Sequence, residues 1–300
     1  YGFNQGFDLY VAPGRETADK TTKRAKKYLS SMWKKDKPFF LYLQYMDPHH
    51  PYKPPESYQK MFSGPVKQTE YAEKTLEYIG QYDGEVRFTD DNIKDLFDWL
   101  KKQNLYDDLD IVLVADHGEQ FYERGHLGHV DMVHNEEVHI PMIFKAPGLH
   151  GKSEVPVSIV DVLPTLLDIV GIKLPSETNG VSLISDLDTR RKRGLLAEII
   201  RHYNQKMYMN DAGVKILLQW PIERGLLLDN LDGEVMAELY NFREDKTEFK
   251  PYKEDATVTS LKNKLAKEYF TAIKLRENYT IGEIEIDKDT LKRLKSLGYL

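Results

Sequence analysis

The chain has 300 residues, 41% of them hydrophobic and 30% charged, with a net charge of −6 at neutral pH. These are the proportions of a folded globular protein, and an acidic balance with lysine and glutamate interspersed excludes a general nucleic-acid surface. The sequence contains no cysteine, which removes disulfides, thiolate metal sites and a cysteine nucleophile from these residues, and no apolar run approaches the roughly 20 residues that span a bilayer. Three hundred residues exceed the usual size of one core, so a large α/β domain with a smaller appendage is expected. The opening YGFNQGFDLY carries neither methionine nor a targeting segment and reads as the middle of a longer protein.

Residues 1–16, rich in glycine and aromatics, read as loop. From about Thr17 to Met32, Ala18, Thr21, Ala25, Tyr28, Leu29 and Met32 recur at helical spacing under a basic outer face. Phe39–Tyr45 (FFLYLQY) is bulky and β-prone, which predicts a strand buried on both faces. It ends in the polar segment Met46-Asp47-Pro48-His49-His50-Pro51-Tyr52. Thr69 to about Lys102 is helical in pattern, either as two helices or as one kinked near Gly80–Gly84. The apolar run Ile111–Val114 follows as a second buried strand, and strand, helix, strand in this order predicts a right-handed parallel βαβ unit. Pro141–Lys145 is a further short strand, and Ser158–Val170 a helix with Gly171 as its C-terminal cap. Beyond about Arg190 the texture changes. Leu195–Ile200, Lys206–Met209, Val214–Gln219 and Glu238–Tyr240, with turns such as Asn210-Asp211 and Asp232-Gly233, predict a small antiparallel sheet. A helix from Asp255 to about Leu275, an extended Ile284–Ile286 and a last helical turn in LKRLKSLGYL close the chain.

The residues that can carry chemistry gather at strand ends, where open α/β sheets bind ligands. Asp116 and His117 follow the Ile111–Val114 run directly, and a carboxylate beside an imidazole can share a divalent cation. The same DHGE also fits an aspartate capping a helix next to a loop histidine. His126 and His129, on the loop that follows, suit anion binding or general-acid work, whereas His134 and His139 fall where structural or solvent-exposed roles are expected. His49 and His50 lie between prolines that stiffen the backbone, an arrangement suited to a positioned proton donor and equally to a rigid surface turn. Asp83, Glu85, Asp90 and Asp91 read as a solvated helix face. No glycine-rich phosphate loop, GxSxG elbow or CxxC pair occurs, and metal-assisted ester hydrolysis would need a nucleophile and more anionic ligands than Asp116 offers.

Taken together, FFLYLQYMDPHHPYKPP, YDGEVRFTDDNIKDLFDWL, DIVLVADHGEQFYERGHLGHVDMVHNEEVHIPMIFKAPG, SIVDVLPTLLDIVGIKLP with NGVSL, and the terminal LKSLGYL resemble, in order, the carboxy-terminal two-thirds of a sulfatase of the alkaline phosphatase superfamily. The resemblance implies an α/β fold: a partial alkaline-phosphatase-like sandwich with a mixed, largely parallel sheet over residues 1–190, incomplete at its amino terminus, and a carboxy-terminal α+β subdomain over residues 191–300 in which a small antiparallel sheet packs with a helix. It implies that Asp116 and His117 complete a metal site, His117 standing where many members have asparagine. It matches His129 to the residue that contacts sulfate, and His49 to the histidine that faces the leaving-group oxygen, with His50 as second choice.

Calcium is the usual family metal, and the imidazole keeps manganese, magnesium and zinc open. The implied substrate is a sulfated small molecule or glycan. The remaining metal aspartates and the formylglycine nucleophile of the family's C/S-x-P-x-R signature have no counterpart here, so the resemblance implies half a metal site and no turnover by these residues alone. An incomplete sheet would expose apolar surface and favour self-association. A phosphoric or phosphonate ester hydrolase or a phosphoethanolamine transferase of the same superfamily, and a non-catalytic sulfatase-like module, are the alternatives.

Overall fold

The computed structural model describes residues 4–33, 37–62, 73–129, 132–147, 149–174, 178–185, 193–201, 203–221 and 235–277. They form two compact units divided between Asp108 and Leu109. The expected elements at Ile284–Ile286 and in the last ten residues, and the turn at Asp232-Gly233, lie outside the described residues.

In the first unit, α1 (Ala18–Ser31) buries the stripe Ala18, Thr21, Thr22, Ala25 and Leu29, the three-and-four spacing that sets one helical face inward. It packs on α3 (Glu73–Lys102), as does the short α2 (Glu56–Phe62). Leu96 and Leu100 of α3 are buried, each stabilising the unit by about 1.5–3 kcal/mol. Of the two arrangements anticipated, one helix forms rather than two: α3 runs unbroken through Gly80–Gly84, and its glycines are contact points. A Cβ at Gly80 would lie 2.9 Å from the Phe62 carbonyl oxygen, and one at Gly84 3.0 Å from the Pro54 ring. The predicted strand Phe39–Tyr45 makes no ladder, because its unit has no other strand among the described residues to pair with. It stays extended, with Phe40 and Tyr42 exposed and the Tyr45 hydroxyl hydrogen-bonded to Thr22 at 2.8 Å. The parallel βαβ pairing is therefore not made there.

In the second unit, β1 (Ile111–Val114) pairs antiparallel with β4 (Met142–Lys145). Between them lie the two-residue strands β2 (Gln120–Phe121) and β3 (Leu127–Gly128) and the single turn α4 (Asn135–Val138). A 3-10 turn (Ile159–Asp161) leads into α5 (Val162–Ile169), which ends at Gly171 with φ +69°, the left-handed cap read from the sequence. The antiparallel sheet forms as expected, in the order β5 (Leu195–Ile200), β6 (Tyr203–Met209), β7 (Val214–Pro221), β8 (Met236–Asn241). Its alternation separates two cores. Tyr208, Ile216, Leu218, Trp220 and Leu239 pack with Leu261 and Leu265 of α6 (Asp255–Glu277), and Met207, Met209, Leu217 and Tyr240 pack with Val133 on the other face.

One ion pair fixes α4 against this sheet. Lys215 Nζ and Glu248 Oε1 lie 2.6 Å apart with both side chains buried. Glu248 also accepts the Asn135 N–H at 2.9 Å, and Lys215 donates to Asn135 Oδ1 at 3.1 Å. Glu248 sits at φ +54°, a left-handed conformation that costs a non-glycine residue roughly 1–2 kcal/mol and that these bonds hold in place. Burial pulls the Lys215 ammonium below its usual range, against the opposing pull of Glu248. Glu248→Ala strands a buried cation and is expected to destabilise this unit by about 3–5 kcal/mol in urea denaturation, while Lys215→Met with Glu248→Ala recovers most of that loss. A cost under about 1 kcal/mol for Glu248→Ala would show that the pair does not hold α4.

Candidate active site

The second unit builds its cluster from the end of β1. The Ala115 N–H reaches the Pro141 carbonyl at 3.4 Å, and the chain then leaves the ladder at Asp116, whose side chain is 58% exposed. His117 Nδ1–H donates to its neighbour's carbonyl, Gly118 O, at 2.8 Å, which leaves Nε2 as the nitrogen with a lone pair in the neutral ring. The Gly118 N–H donates to Glu137 O at 2.7 Å, and a Cβ at Gly118 would lie 2.0 Å from Glu136 O. The glycine of DHGE is thus required by the backbone of α4 pressing on the loop. The β2–β3 hairpin, turning through Tyr122 (φ +69°) and Gly125 (φ +83°), brings His129 back beside its start.

There His129 Nδ1 meets Glu119 Oε1 at 2.9 Å, and the His117 and His129 rings stack with centroids 3.8 Å apart at 31°. Asp116, His117, Glu119 and His129 are therefore one cluster. The hydrogen bond to Glu119, whose side chain is only 4% exposed, holds the His129 proton above the ordinary histidine range against the opposing effect of burial. Sequence reasoning missed Glu119; its place in the same DHGE stretch as Asp116 and His117 was the available signal. His126 stays on the exposed hairpin turn. His134, beside Glu238 at 3.6 Å, and His139, edge-on to Phe242, have the structural surroundings expected of them.

Asp116 Oδ1 and His117 Nε2 are 3.8 Å apart, a separation that two donors to one divalent cation can span at about 2.0–2.4 Å each. The carbonyl that accepts His117 Nδ1–H is the usual support behind a ligating imidazole. The pair fits part of a coordination shell. Among the described residues no group of three or more acidic or histidine side chains is gathered to hold a metal.

His49 and His50 belong to the first unit. Their loop contains two cis peptides, Asp47–Pro48 and His50–Pro51. Asp47 is buried and accepts the Ala18 N–H at 2.8 Å, so its carboxylate caps α1. His49 Nδ1–H donates to His50 O at 2.7 Å, while the His50 ring lies edge-on to Tyr52 and Tyr78. Glu85, expected on a solvated face, is 3% exposed. Its carboxylate accepts the N–H of His49 at 3.2 Å and of Lys53 at 2.6 Å. Gly84 lets α3 approach the Pro54 segment, which turns the neighbouring Glu85 inward. Burial raises both Asp47 and Glu85. A cleft of about 320 Å³ lies beside the loop, lined by Thr17, Asp47, Lys53, Pro54, Glu85 and Phe88.

The raised pKa of His129 has a definite sign in stability. The ion pair with Glu119 contributes fully below about pH 6.5, the unfolded histidine value, and its contribution is lost as pH rises through the folded pKa. The His129 ring resonances are expected to titrate above 6.5, and in Glu119→Gln their midpoint should fall toward the ordinary value. An unchanged midpoint in that variant would contradict the pairing.

The family model described as sulfatase matches residues 1–172, and that described as N-sulphoglucosamine sulphohydrolase, C-terminal, matches residues 125–274. Arylsulfatase K of Mus musculus is 36% identical over 88 residues, which are 29% of this chain and 16% of that protein. The Escherichia coli protein named uncharacterized sulfatase YidJ is 23% identical over 296 residues, 88% of this chain and 57% of its own length. The chain thus spans little more than half of the curated relative that it matches almost throughout. Among solved structures, a protein in complex with its substrate D-glucosamine-2-N,6-O-disulfate superposes with a TM-score of 0.67 at 17% identity, over 92% of this chain and 73% of the other. The phosphonate monoester hydrolase of Agrobacterium radiobacter gives 0.65 at 17% identity, over 88% and 64%. The fold is the alkaline-phosphatase-like α/β fold, with a small antiparallel sheet of four strands. With the sulfatase model matched over more than half its length, the chain belongs to the sulfatase family.

Proposed function

We propose that this chain supplies the metal-completing, anion-binding and leaving-group side of a sulfuric ester hydrolase. The observation that carries the reading is the cluster at the end of β1, where Asp116 adjoins His117 and the His129–Glu119 pair stacks against the His117 ring. In this reading His129, protonated against Glu119, holds the sulfate group. Asp116 and the Nε2 of His117 are the residues that would hold a divalent cation, calcium by family habit, with manganese, magnesium or zinc also suited to the imidazole. Such an ion, when bound, stabilises negative charge on the ester oxygens.

His49, with Nδ1–H tied to the His50 carbonyl, delivers a proton from Nε2 to the departing oxygen, with His50 as second choice. The formylglycine nucleophile that the resemblance implies has no counterpart in these residues, which contain no cysteine, and these 300 residues alone are expected not to turn over substrate. The substrate class is a sulfated small molecule or glycan, a reading supported by the sugar disulfate bound by one protein of like fold. A phosphonate monoester is also a monoanion, and hydrolysis of such esters is the second reading, supported by likeness to the phosphonate monoester hydrolase.

In the full-length protein, Asp116→Ala is expected to lose bound metal and ester hydrolysis together, measured by elemental analysis and rate; normal metal content in that variant would sink the ligand assignment. His49→Ala should slow alkyl sulfates by about 10²–10⁴-fold and activated aryl sulfates far less, as removal of a general acid does. Equal losses on both substrates would count against the role of His49.

A further inference from the structure

The His49 loop is held from two sides by opposite charges. On one side the buried Glu85 carboxylate takes the N–H groups of His49 and Lys53, one on each oxygen. On the other, the Arg15 guanidinium donates to three successive carbonyls, those of His49, His50 at 2.9 Å and Pro51 at 3.3 Å. The loop has no strand ladder of its own, so these bonds satisfy peptide groups that helix or sheet would otherwise satisfy. The two charges also compensate each other: Arg15 lowers the pKa of Glu85 and Asp47, against the burial that raises both. Charge-assisted bonds of this kind are shorter and roughly twice as strong as neutral ones. Nothing in the proposed chemistry uses Glu85 or Arg15 directly, and neither carries a sequence signature.

We propose that Glu85 and Arg15 are positioning residues, a paired clamp whose function is to set the His49 imidazole for proton delivery to the leaving group. The proposal rests on the reading of His49 given above. It acts entirely through that side chain, so removing His49 must remove the benefit of the clamp. Small misplacements of a proton donor are costly, about 10²-fold for 1 Å, and the cost appears in turnover rather than in binding.

The test is a double-mutant cycle in the full-length protein. Glu85→Gln keeps the side-chain volume but offers one oxygen to two N–H groups. It is expected to lower kcat for alkyl sulfates by about 10- to 100-fold with KM little changed, and to spare activated aryl sulfates. In a His49→Ala background the same substitution should cost nothing further. Arg15→Met should reproduce the pattern, with Arg15→Lys recovering part of the loss. Amide hydrogen exchange gives a readout independent of activity: in Glu85→Gln the His49 and Lys53 amides should exchange at least 10-fold faster, while the core of β6 and β7 is unchanged. Equal loss with and without His49, or unaltered exchange at both amides, overturns the clamp. If His49→Ala alone is indifferent to the leaving group, the reading of His49 fails and its positioning role with it. Faster exchange in Glu85→Gln would then show that the clamp serves the loop's backbone only.

Discussion

Buried carboxylates that accept backbone N–H groups hold the irregular loops of this protein. Histidines suited to proton transfer or anion binding sit in irregular chain, and irregular chain leaves peptide donors unsatisfied. Here Asp47 takes the amide of Ala18, Glu85 those of His49 and Lys53, Glu137 that of Met132, Asp161 those of Ser158 and Val181, and Glu248 that of Asn135. All five acidic residues are buried. A hydrogen bond to a charged group contributes about 1.5–3 kcal/mol, and leaving such a buried group unpaired costs more than a neutral one. The geometry of the loops therefore depends on these buried carboxylates.

The same device explains how charge is distributed. A buried anion needs a cation or several donors, and each is supplied differently: Lys215 for Glu248, the α1 N-terminus for Asp47, and Arg15 near Glu85. Around His129 the arrangement is reversed, because the hydrogen bond to Glu119 raises the imidazole pKa against the effect of burial. The Arg124 guanidinium joins Glu136 at 3.2 Å to the carbonyl of Thr247 at 2.9 Å, which ties α4 to the segment that carries Glu248. The Arg124–Glu136 ion pair and His117 are thus linked through one backbone contact, Glu136 and Glu137 standing directly behind Gly118, the neighbour of His117.

Much of this was legible in the sequence. The helical stripe of α1, the alternating strands of the carboxy-terminal sheet, the Gly171 cap and the pairing of Asp116 with His117 at a strand end all follow from local periodicity and turn chemistry. Periodicity speaks to one element at a time, and the failures lie where two elements meet. Phe39–Tyr45 has the composition of a buried strand, but a ladder needs a partner that composition cannot supply. Glu85 has the spacing of a solvated residue, yet Gly84 brings a loop down on it. Gly80 and Gly84 looked like helix breakers because an isolated glycine has two explanations, a bend or a close approach, and only packing decides between them. Glu119 became visible once the β2–β3 hairpin returned His129 to it.

The function proposed for this protein turns on its reaction class. Its most direct test is side-by-side hydrolysis by the full-length protein of 4-nitrophenyl sulfate and 4-nitrophenyl phenylphosphonate, two monoanionic esters with the same leaving group. A kcat/KM for the sulfate ester at least 10-fold above that for the phosphonate is expected, a ratio that corresponds to about 1.4 kcal/mol of differential transition-state binding. A preference for the phosphonate, or no hydrolysis of either ester, would contradict it.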